Sequence, residues 1–290
     1  MNSSNSRAKL LIIGCGDIGQ RLARHMAPLG YSITGLRRRA TADLDYLQYR
    51  QCDVTRPEEL QPILAEGADV IVISMTPAER SDAGYQQAYV QSCQQLVASL
   101  RELGITPRLI LFVSSTAVYG QNDGSWVDET SPTLPEGFSG RRLLEAEQTL
   151  LNSGYHCSVV RFSGIYGPGR NRLIEQVINR RASASPHFTN RIHAEDCAAA
   201  LAHLIELDKK QPLDAVYLAT DSSPTPMMEV VGWIAQQLNI SDFLAADAVN
   251  ERGNKRISNQ RLLSTGYTLR YPDFRLGYRE LLRDYLSLPN

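Results

Sequence analysis

A glycine turn near the N-terminus constrains this chain more than any other feature. The apolar run Leu10–Ile13 leads into Gly14-Cys15-Gly16-Asp17-Ile18-Gly19, and apolar residues then recur at three- and four-residue steps up to Met26. This pattern is typical of a buried strand, a tight turn and an amphipathic helix. In a G-x-G-x-x-G turn the glycines permit the bend, the close approach of a pyrophosphate and close packing of helix on strand. The segment predicts a dinucleotide site, and a glycine-rich turn without a ligand is the alternative.

Three consecutive arginines, Arg37–Arg39, follow the second expected strand, Gly30–Leu36. In a dinucleotide site the end of this strand faces the adenosine ribose, where an acidic residue would bind the 2′-hydroxyl. The sequence has no acid at this point. Guanidinium groups suit a 2′-phosphate because they hold its oxygens in bidentate fashion. We therefore expect NADP, with NAD as the second choice, and place Arg37 and Arg38 at the phosphate. A solvated basic loop is the other interpretation.

Apolar runs and helical patterns alternate over the first ~165 residues, which predicts an α/β fold with a doubly wound parallel sheet of the Rossmann type. Ligands bind such sheets at the carboxyl ends of the strands. Further strands are expected at Tyr49–Val54, Ala68–Ser74, Arg108–Val113, His156–Phe162 and Ala215–Ala219. Further helices are expected at Pro57–Leu64, Ala83–Leu103, Gly140–Ser153, Arg170–Arg181, His193–Leu207 and 227–238.

The regular alternation of expected strands and helices ends near residue 168. This change predicts a second, smaller domain in the rest of the chain. We expect a disordered N-terminus at 1–8 and a nucleotide-binding domain at 9–167 plus 191–220. A small C-terminal substrate-binding lobe is expected at 168–190 plus 221–290.

The composition of the 290-residue chain argues against several classes of protein. Thirty basic and 31 acidic residues leave a formal charge of −1, so no general attraction to nucleic acid or to an anionic membrane is expected. The five cysteines form no C-x-x-C pair and the five histidines no H-E-x-x-H pair, so no metal site is expected. No stretch approaches the ~18 apolar residues of a membrane span. These features predict a cytoplasmic protein with a small-molecule substrate.

Five motifs of the chain occur in a recognisable order: the glycine turn, Asp53-Val54 after the third strand, SSTAVYG at 114–120, RFSGIYGPG at 161–169 and NRIHAEDCA at 190–198. Together they resemble the extended short-chain dehydrogenase/reductases, the NAD-dependent epimerase/dehydratase group. The motifs keep the group's order and spacing over about residues 9–220. The resemblance implies an NAD(P) cofactor, hydride transfer and a sugar nucleotide as substrate. It also implies a possible homodimer, formed through the helices at 83–103 and 140–153.

The resemblance, added to the glycine turn and the arginines, defines two sets of candidate residues. The cofactor set is Gly14, Gly16, Asp17, Ile18, Gly19, Arg37, Arg38, Asp53, Val54, Ser74, Met75, Thr76, Ser114, Phe162, Ser163 and Ile165. The substrate set is Thr116, Arg141, Tyr166 and Arg191.

The chain departs from the group at its catalytic Y-x-x-x-K, which belongs on the helix that starts near residue 139. There the lysine holds the ribose and lowers the pKa of the tyrosine, so that the phenol can exchange a proton with a substrate hydroxyl. Alignment on LEAEQ at 144–148 puts Ser139 at the tyrosine position and Leu143 at the lysine position. No tyrosine in the whole sequence is followed by a lysine four residues later.

Ser115 remains as a catalytic candidate, because it matches the group's substrate-orienting serine. A serine hydroxyl alone is a poor base at neutral pH without a partner. Tyr119 is the candidate replacement for the proton donor, and an aromatic side chain packed under the loop is the alternative. Arg141, in the first turn of the helix, is a candidate for binding a phosphate, with an exposed helix charge as the alternative.

Two functions follow from the sequence. The first is an NADP(H)-dependent oxidoreductase or epimerase that acts on a sugar nucleotide or a similar hydroxylated substrate with non-standard acid/base residues. The second is a non-catalytic NADP(H)-binding sensor or scaffold that keeps the fold without the chemistry. The loss of both catalytic residues together favours the second, whereas the retained substrate-side motifs favour the first.

Overall fold

The computed structural model describes residues 7–241 and 253–287. Residues 1–6 of the expected N-terminal segment, and 242–252 and 288–290 of the expected C-terminal lobe, lie outside the described residues. The strands are β1 Lys9–Ile13, β2 Ser32–Arg37, β3 Gln48–Gln51, β4 Val70–Ile73, β5 Leu109–Ser115, β6 Trp126–Val127, β7 Cys157–Phe162, β8 Gly164–Tyr166, β9 Phe188–Thr189, β10 Arg191–His193, β11 Val216–Ala219, β12 Thr225–Pro226 and β13 Arg256–Ile257. The α-helices are α1 Asp17–Met26, α2 Pro57–Ala65, α3 Asp82–Tyr85, α4 Ser92–Leu103, α5 Phe138–Leu151, α6 Arg172–Ile178, α7 Ala194–Leu207, α8 Met227–Gln237, α9 Gln260–Ser264 and α10 Phe274–Leu286.

The central sheet has seven strands in the order β11-β7-β5-β4-β1-β2-β3. The pairs β1–β2, β1–β4, β2–β3 and β4–β5 are parallel. All four residues of β4 are buried, as expected for a strand covered by helices on both faces. The predicted Rossmann-type α/β fold is confirmed. The chain order reverses between β1 and β4, so the glycine turn that follows β1 lies at the switch point of the sheet.

The helix expected at 83–103 is divided into three parts. It begins as α3, continues as a π-helix at Gln86–Gln91 and returns to α-helical geometry as α4. The π-helix holds one more residue per turn than its neighbours, and such turns are frequent at functional sites. Apolar periodicity could not show this change, because a single wide turn shifts the pattern by only one residue.

The described residues fall into two compact units. The first is drawn from Met1–Val118, Pro135–Arg161 and Ala198–Tyr217, and the second from Tyr119–Leu134, Phe162–Cys197 and Leu218–Asn290. The second unit thus includes residues 119–134, 162–167, 191–197 and 218–220, which the sequence analysis assigned to the nucleotide domain. Its core packs apolar residues of α6, α8 and α10 around Tyr166, which stacks on Tyr278 with ring centroids 4.8 Å apart.

A buried ion pair ties three elements of the first unit together. Arg161 on β7 donates to Glu147 on α5, with an Nη2–Oε2 distance of 2.6 Å and an Nε–Oε1 distance of 3.0 Å. The side chains are only 6% and 1% exposed. Ser114, near the end of β5, donates its hydroxyl to the same carboxylate at 2.5 Å. Because buried charges need partners, this cluster fixes α5 against the end of β5.

The described residues lack two kinds of feature, a membrane-spanning helix and a cluster of metal ligands. None of the helices there combines the length and the apolar character that crossing a membrane requires. The same residues contain no group of three or more His, Cys, Asp or Glu side chains arranged to hold a metal ion.

Replacement of Glu147 tests the buried pair. We expect Glu147→Gln to lower the free energy of unfolding by about 3–5 kcal/mol, because Arg161 would keep a buried charge without a counter-ion. Urea denaturation of the purified variant measures this loss. Glu58→Gln, an exposed position on α2, is the control and should change stability by less than about 0.5 kcal/mol. A loss below 1 kcal/mol in Glu147→Gln would contradict the assigned role.

Candidate functional site

The first glycine of the turn has no room for a side chain. Gly14 has a φ of +76°, in the left-handed region that favours glycine. A Cβ there would lie 2.8 Å from the carbonyl oxygen of Ser74 and 2.9 Å from the Cα of Met75. The turn is closed by Gly16, whose N–H donates to the Gly14 carbonyl at 2.7 Å. The chain therefore crosses close over the end of β4 before α1 begins.

Gly16 and Gly19 differ in what surrounds them. A Cβ on Gly16 would meet only the Gly14 carbonyl oxygen, at 4.0 Å, so the space beside this residue is open. A Cβ on Gly19 would lie 3.0 Å from both the Ile12 Cγ2 and the Cys15 Sγ. Gly19 thus lets α1 pack on β1, whereas Gly16 leaves an open approach to the N-terminus of α1. Asp17 is exposed there and pairs with Arg21 at 2.9 Å, and Ile18 is buried.

A cleft of about 570 Å³ opens beside the glycine turn in the first unit. Many of the predicted cofactor residues line it: Gly14, Gly16, Arg37, Arg38, Asp53, Val54, Met75 and Thr76. The sequence analysis missed the others: Leu36, Arg39, Cys52, Thr55, Ala78, Gly84, Gln87, Ala88 and Ser92. Four of these, from Gly84 to Ser92, come from the segment that contains the π-helix, and a π-helix leaves no recognisable signal in one sequence. Ser74 lies just outside this set, with its N–H donating to the Ile13 carbonyl at 2.8 Å.

Arg37, Arg38 and Arg39 line the cleft where β2 ends. The Arg37 guanidinium lies 5.7 Å from the centre of the Tyr49 ring and 3.4 Å from the Thr41 hydroxyl. Arg38 and Arg39 are exposed. Within the described residues, no carboxylate lies within ion-pair distance of any of the three. The edge of the cleft therefore carries positive charge available to an anionic ligand.

Asp53 faces the cleft with a carboxylate fixed by Thr55. Its Oδ1 accepts from the Thr55 hydroxyl at 2.7 Å and from the Thr55 N–H at 3.1 Å. Burial raises the pKa of Asp53, but these hydrogen bonds and the charges of Arg56 and Arg38 outweigh burial and lower it. The side chain is therefore ionised at neutral pH, and its position is set by the loop itself.

The serine motif follows β5 without a break. Ser114 points into the protein, because its hydroxyl donates to Glu147. Ser115 is half-buried, and its oxygen accepts from the Ala117 N–H at 3.2 Å. Thr116 begins a short 3₁₀ turn that ends at Val118. Ser115 and Thr116 are therefore the hydroxyls of this motif that the buried ion pair leaves unused.

The start of α5 packs closely on the serine motif. A Cβ on Gly140 would lie 2.3 Å from the Ala117 carbonyl oxygen, so only glycine permits this approach. Ser139 is half-buried and Leu143 is 4% exposed, packed in the core. Arg141 is exposed and donates to the Glu136 carbonyl. The alignment position of the lysine thus holds an apolar side chain that faces away from solvent.

The remaining predicted residues lie in the second unit. Tyr119 is 2% exposed, and its carbonyl accepts from Lys255 Nζ at 2.7 Å. Ser163 is buried and donates to the Thr220 hydroxyl at 2.9 Å. Phe162 is also buried, and Ile165 is half-buried.

The two predicted substrate residues of this unit are buried as well. They are Tyr166 and Arg191, and Arg191 donates to Thr189 Oγ1 at 2.6 Å. These side chains form the interior of the second unit.

Asp221 is a buried acid in the same unit. It is 1% exposed, and its Oδ2 and the hydroxyl of Tyr166 make no hydrogen bond within the described residues. Burial raises the pKa of Asp221 to about 8, although a hydrogen bond from the Ser223 N–H and the charge of Arg191 oppose this. Burial and then the charge of Asp221 raise the pKa of Tyr166. Asp221 therefore keeps its proton well above the pH at which an exposed aspartate ionises.

Sequence comparison assigns the chain to a family. The profile of the NAD-dependent epimerase/dehydratase family matches residues 10–218. This chain belongs to that family. Protein YeeZ of Escherichia coli K12 is 34% identical over 213 residues, which cover 69% of this chain and 74% of YeeZ.

Solved structures show the same fold. A protein of the same family designation from Methylobacillus flagellatus has a TM-score of 0.84 and 38% identity, and the match covers 97% of this chain and 100% of that one. MoeE5, in complex with UDP-glucuronic acid and NAD, has a TM-score of 0.79 and 21% identity, with coverage of 97% and 100%.

The family's dinucleotide fits the residues of the cleft. The open space beside Gly16 lies at the N-terminus of α1, where N–H groups favour a pyrophosphate. The cleft continues from this turn to the arginines at the end of β2 and to Asp53 after β3. The first unit thus supplies the backbone donors and the positive charge that a phosphate-containing cofactor requires.

Two glycine variants separate folding from binding. We expect Gly14→Ala to lower the free energy of unfolding by about 2 kcal/mol or more, because φ is positive and backbone atoms lie too close. Gly16→Ala should stay within about 0.5 kcal/mol of the parent. It should nevertheless weaken dinucleotide binding about tenfold or more, because its methyl group would occupy the pyrophosphate approach.

Urea denaturation and fluorescence titration with NADPH measure the two effects. Equal dinucleotide affinity in the parent and Gly16→Ala would contradict the role given to the open space.

Asp221→Asn tests the buried acid. The unfolded chain loses this proton near pH 4, whereas the folded chain keeps it up to about pH 8. The group therefore makes the parent less stable as pH rises between these values, at most by about 1.4 kcal/mol per pH unit. Asparagine does not titrate, so the stability of Asp221→Asn relative to the parent should rise from pH 5 to pH 8. Urea denaturation at both pH values, with the exposed Asp45→Asn as control, checks this, and a constant difference would contradict it.

Proposed function

We propose that this chain is an NADP(H)-dependent oxidoreductase or epimerase that acts on a sugar nucleotide or a similar hydroxylated substrate. The observation that carries the proposal is the cleft in which the glycine turn and Arg37–Arg39 face the same space. A nicotinamide dinucleotide supplies hydride transfer when it is bound. The side chains of this protein must therefore bind and orient the two reactants and move protons.

The choice of NADP rests on charge. An acidic side chain at the end of β2 would bind a ribose hydroxyl, but β2 ends in arginines that have no carboxylate partner among the described residues. A 2′-phosphate would supply the missing negative charge. Arg37 is the best placed, because Tyr49 and Thr41 already hold its guanidinium at the cleft. Asp53, fixed by Thr55, then lies further along the cleft as an acceptor for hydrogen bonds from the adenosine end of the cofactor.

The substrate class rests on the family and on MoeE5, whose complex contains a UDP-sugar and NAD. We assign Ser115 to orienting the reacting hydroxyl. Its oxygen accepts the Ala117 N–H, and the buried pair does not engage it, whereas the neighbouring Ser114 is bound to Glu147. Thr116, Arg141, Tyr166 and Arg191 remain the proposed substrate residues. Tyr119 is proposed as the proton donor, in place of the missing tyrosine of α5, although in this conformation its side chain is buried.

One observation favours the second candidate function, a non-catalytic NADP(H)-binding protein. Leu143 stands at the lysine position and is packed in the core, so no side chain at this position can hold the ribose or lower the pKa of a phenol. A protein that retained the dinucleotide cleft but not the catalytic residues would bind the dinucleotide and catalyse no reaction with it. The two candidates therefore agree on binding and differ on turnover.

Removal of the arginines tests the cofactor. Arg37→Ala and Arg38→Ala should each weaken NADP binding about tenfold or more, because a charged hydrogen bond to phosphate is lost, and should leave NAD binding nearly unchanged. Tryptophan fluorescence titrated with each dinucleotide measures both affinities, and Arg24→Ala, an exposed residue of α1, is the control. Equal affinity of the parent for NADP and NAD would remove the proposed role of these arginines.

Turnover separates the two functions. With NADP or NADPH and a panel of sugar nucleotides that includes UDP-glucose and UDP-glucuronic acid, we expect a change in nicotinamide absorbance or an epimerised product. Ser115→Ala should lower kcat by about 10²- to 10⁴-fold, and Ser32→Ala, exposed on β2, should leave it unchanged. Dinucleotide binding without any turnover across the panel would instead support the sensor or scaffold.

A further inference from the structure

Helix α5 carries a cation that neither the buried ion pair nor the serine motif uses. Arg142 binds Asp82, the first residue of α3, through two parallel hydrogen bonds, Nε to Oδ1 and Nη2 to Oδ2, each 2.8 Å long. Its Nη1 donates to Glu145 Oε2 at 2.9 Å. The hydrogen bonds from Arg142 lower the pKa of Asp82. A fork of this kind fixes the direction of the contact as well as its length.

Asp82 begins the segment that forms one wall of the dinucleotide cleft. Gly84, Gln87, Ala88 and Ser92 of this segment line the cleft. Its first turn is tightly closed, because the Ser81 hydroxyl accepts from the Gly84 N–H at 3.1 Å. A Cβ on Gly84 would lie 2.5 Å from the Glu79 carbonyl oxygen. Because this first turn is tightly packed, a displacement of Asp82 would also displace the residues that follow it in the wall.

A series of aromatic rings joins the same wall to α5 and to the sheet. Tyr85 packs edge-on against Phe138, the first residue of α5, with centroids 5.5 Å apart. Tyr89 lies 5.4 Å from Tyr85 and 6.3 Å from Phe112 of β5. Its hydroxyl donates at 3.3 Å to the carbonyl of Met75, which lines the cleft beside Gly14. The rings hold the body of the wall, and the Arg142–Asp82 fork holds its first residue.

We propose that Arg142 is a positioning residue for the dinucleotide. By holding Asp82, it fixes the wall from Asp82 to Ser92 at the separation from the glycine turn that the bound dinucleotide needs. The inference rests on the dinucleotide-binding part of the proposed function. Half-exposed ion pairs contribute little to global stability, so the effect of Arg142 lies in the geometry of the cleft. It also gives the N-terminal half of α5 a role in cofactor binding that does not require a lysine at position 143.

The test measures NADPH affinity and thermal stability together. Arg142→Ala and Asp82→Ala should each raise the Kd for NADPH about 3- to 10-fold and change Tm by less than about 2 °C. The double variant with the charges exchanged, Arg142→Asp with Asp82→Arg, should return the Kd to within about twofold of the parent. Arg50→Ala, which breaks the half-exposed Arg50–Glu66 pair on the same unit, is the matched control and should leave the Kd unchanged.

Each other result overturns the inference. An unchanged Kd for NADPH in both single variants shows that the Arg142–Asp82 pair does not position residues 82–92 for binding. A raised Kd in Arg142→Ala alone shows that Arg142 contacts the ligand directly. A charge-exchanged variant as weak as the single variants shows that the pairing itself is not what matters. These results require a parent that binds NADPH, whereas a parent that binds no dinucleotide overturns the proposed function.

Amide hydrogen exchange provides a readout that needs no ligand. In the protein without dinucleotide, Arg142→Ala should speed exchange in residues 82–92 relative to the parent, and Arg50→Ala should not. Equal protection of this segment in the parent and Arg142→Ala overturns the inference even if the protein binds NADPH.

Discussion

The buried pair of Glu147 and Arg161 is the interaction on which the arrangement of α5, β5 and β7 in the first unit depends. Each charge is almost fully removed from water, so each is tolerated only while the other is in place. The pair joins α5 to β7, and Ser114 brings the end of β5 to the same carboxylate. Three segments far apart in the chain thus meet at one point. Ser115, the next residue, owes its position to this cluster, and Gly140 lets α5 approach the same motif.

A second constraint is steric and acts at the switch point of the sheet. Gly14 adopts a positive φ close to the end of β4, and Gly19 lets α1 pack on β1, so neither position has room for a side chain. Gly16 is the member of the turn whose surroundings are open. Gly14 and Gly19 are crowded and shape the turn, and the open space lies beside Gly16. The arginines at the end of β2 make the electrostatic potential of the adjoining cleft positive.

Helix α5 takes part in several separate contacts of the first unit. Glu147 in its C-terminal half belongs to the buried pair, Leu143 is apolar and buried, and Arg142 binds Asp82. The helix thus contacts both the buried ion pair and the first residue of the segment that lines the cleft.

The sequence by itself determined the fold class, because alternating apolar runs and glycine turns are local patterns that follow from strand and helix periodicity. It also located the glycine turn, the arginines and Asp53, because each directly follows a strand, and parallel strands bring their carboxyl ends to one edge. The tertiary structure alone decided that Ser114 faces Glu147 while Ser115 does not. It alone showed the π-helix at Gln86–Gln91 and the fork between Arg142 and Asp82. These features depend on contacts between residues 33 to 60 positions apart, or on a one-residue change in helical register, and neither leaves a periodic signal in one chain.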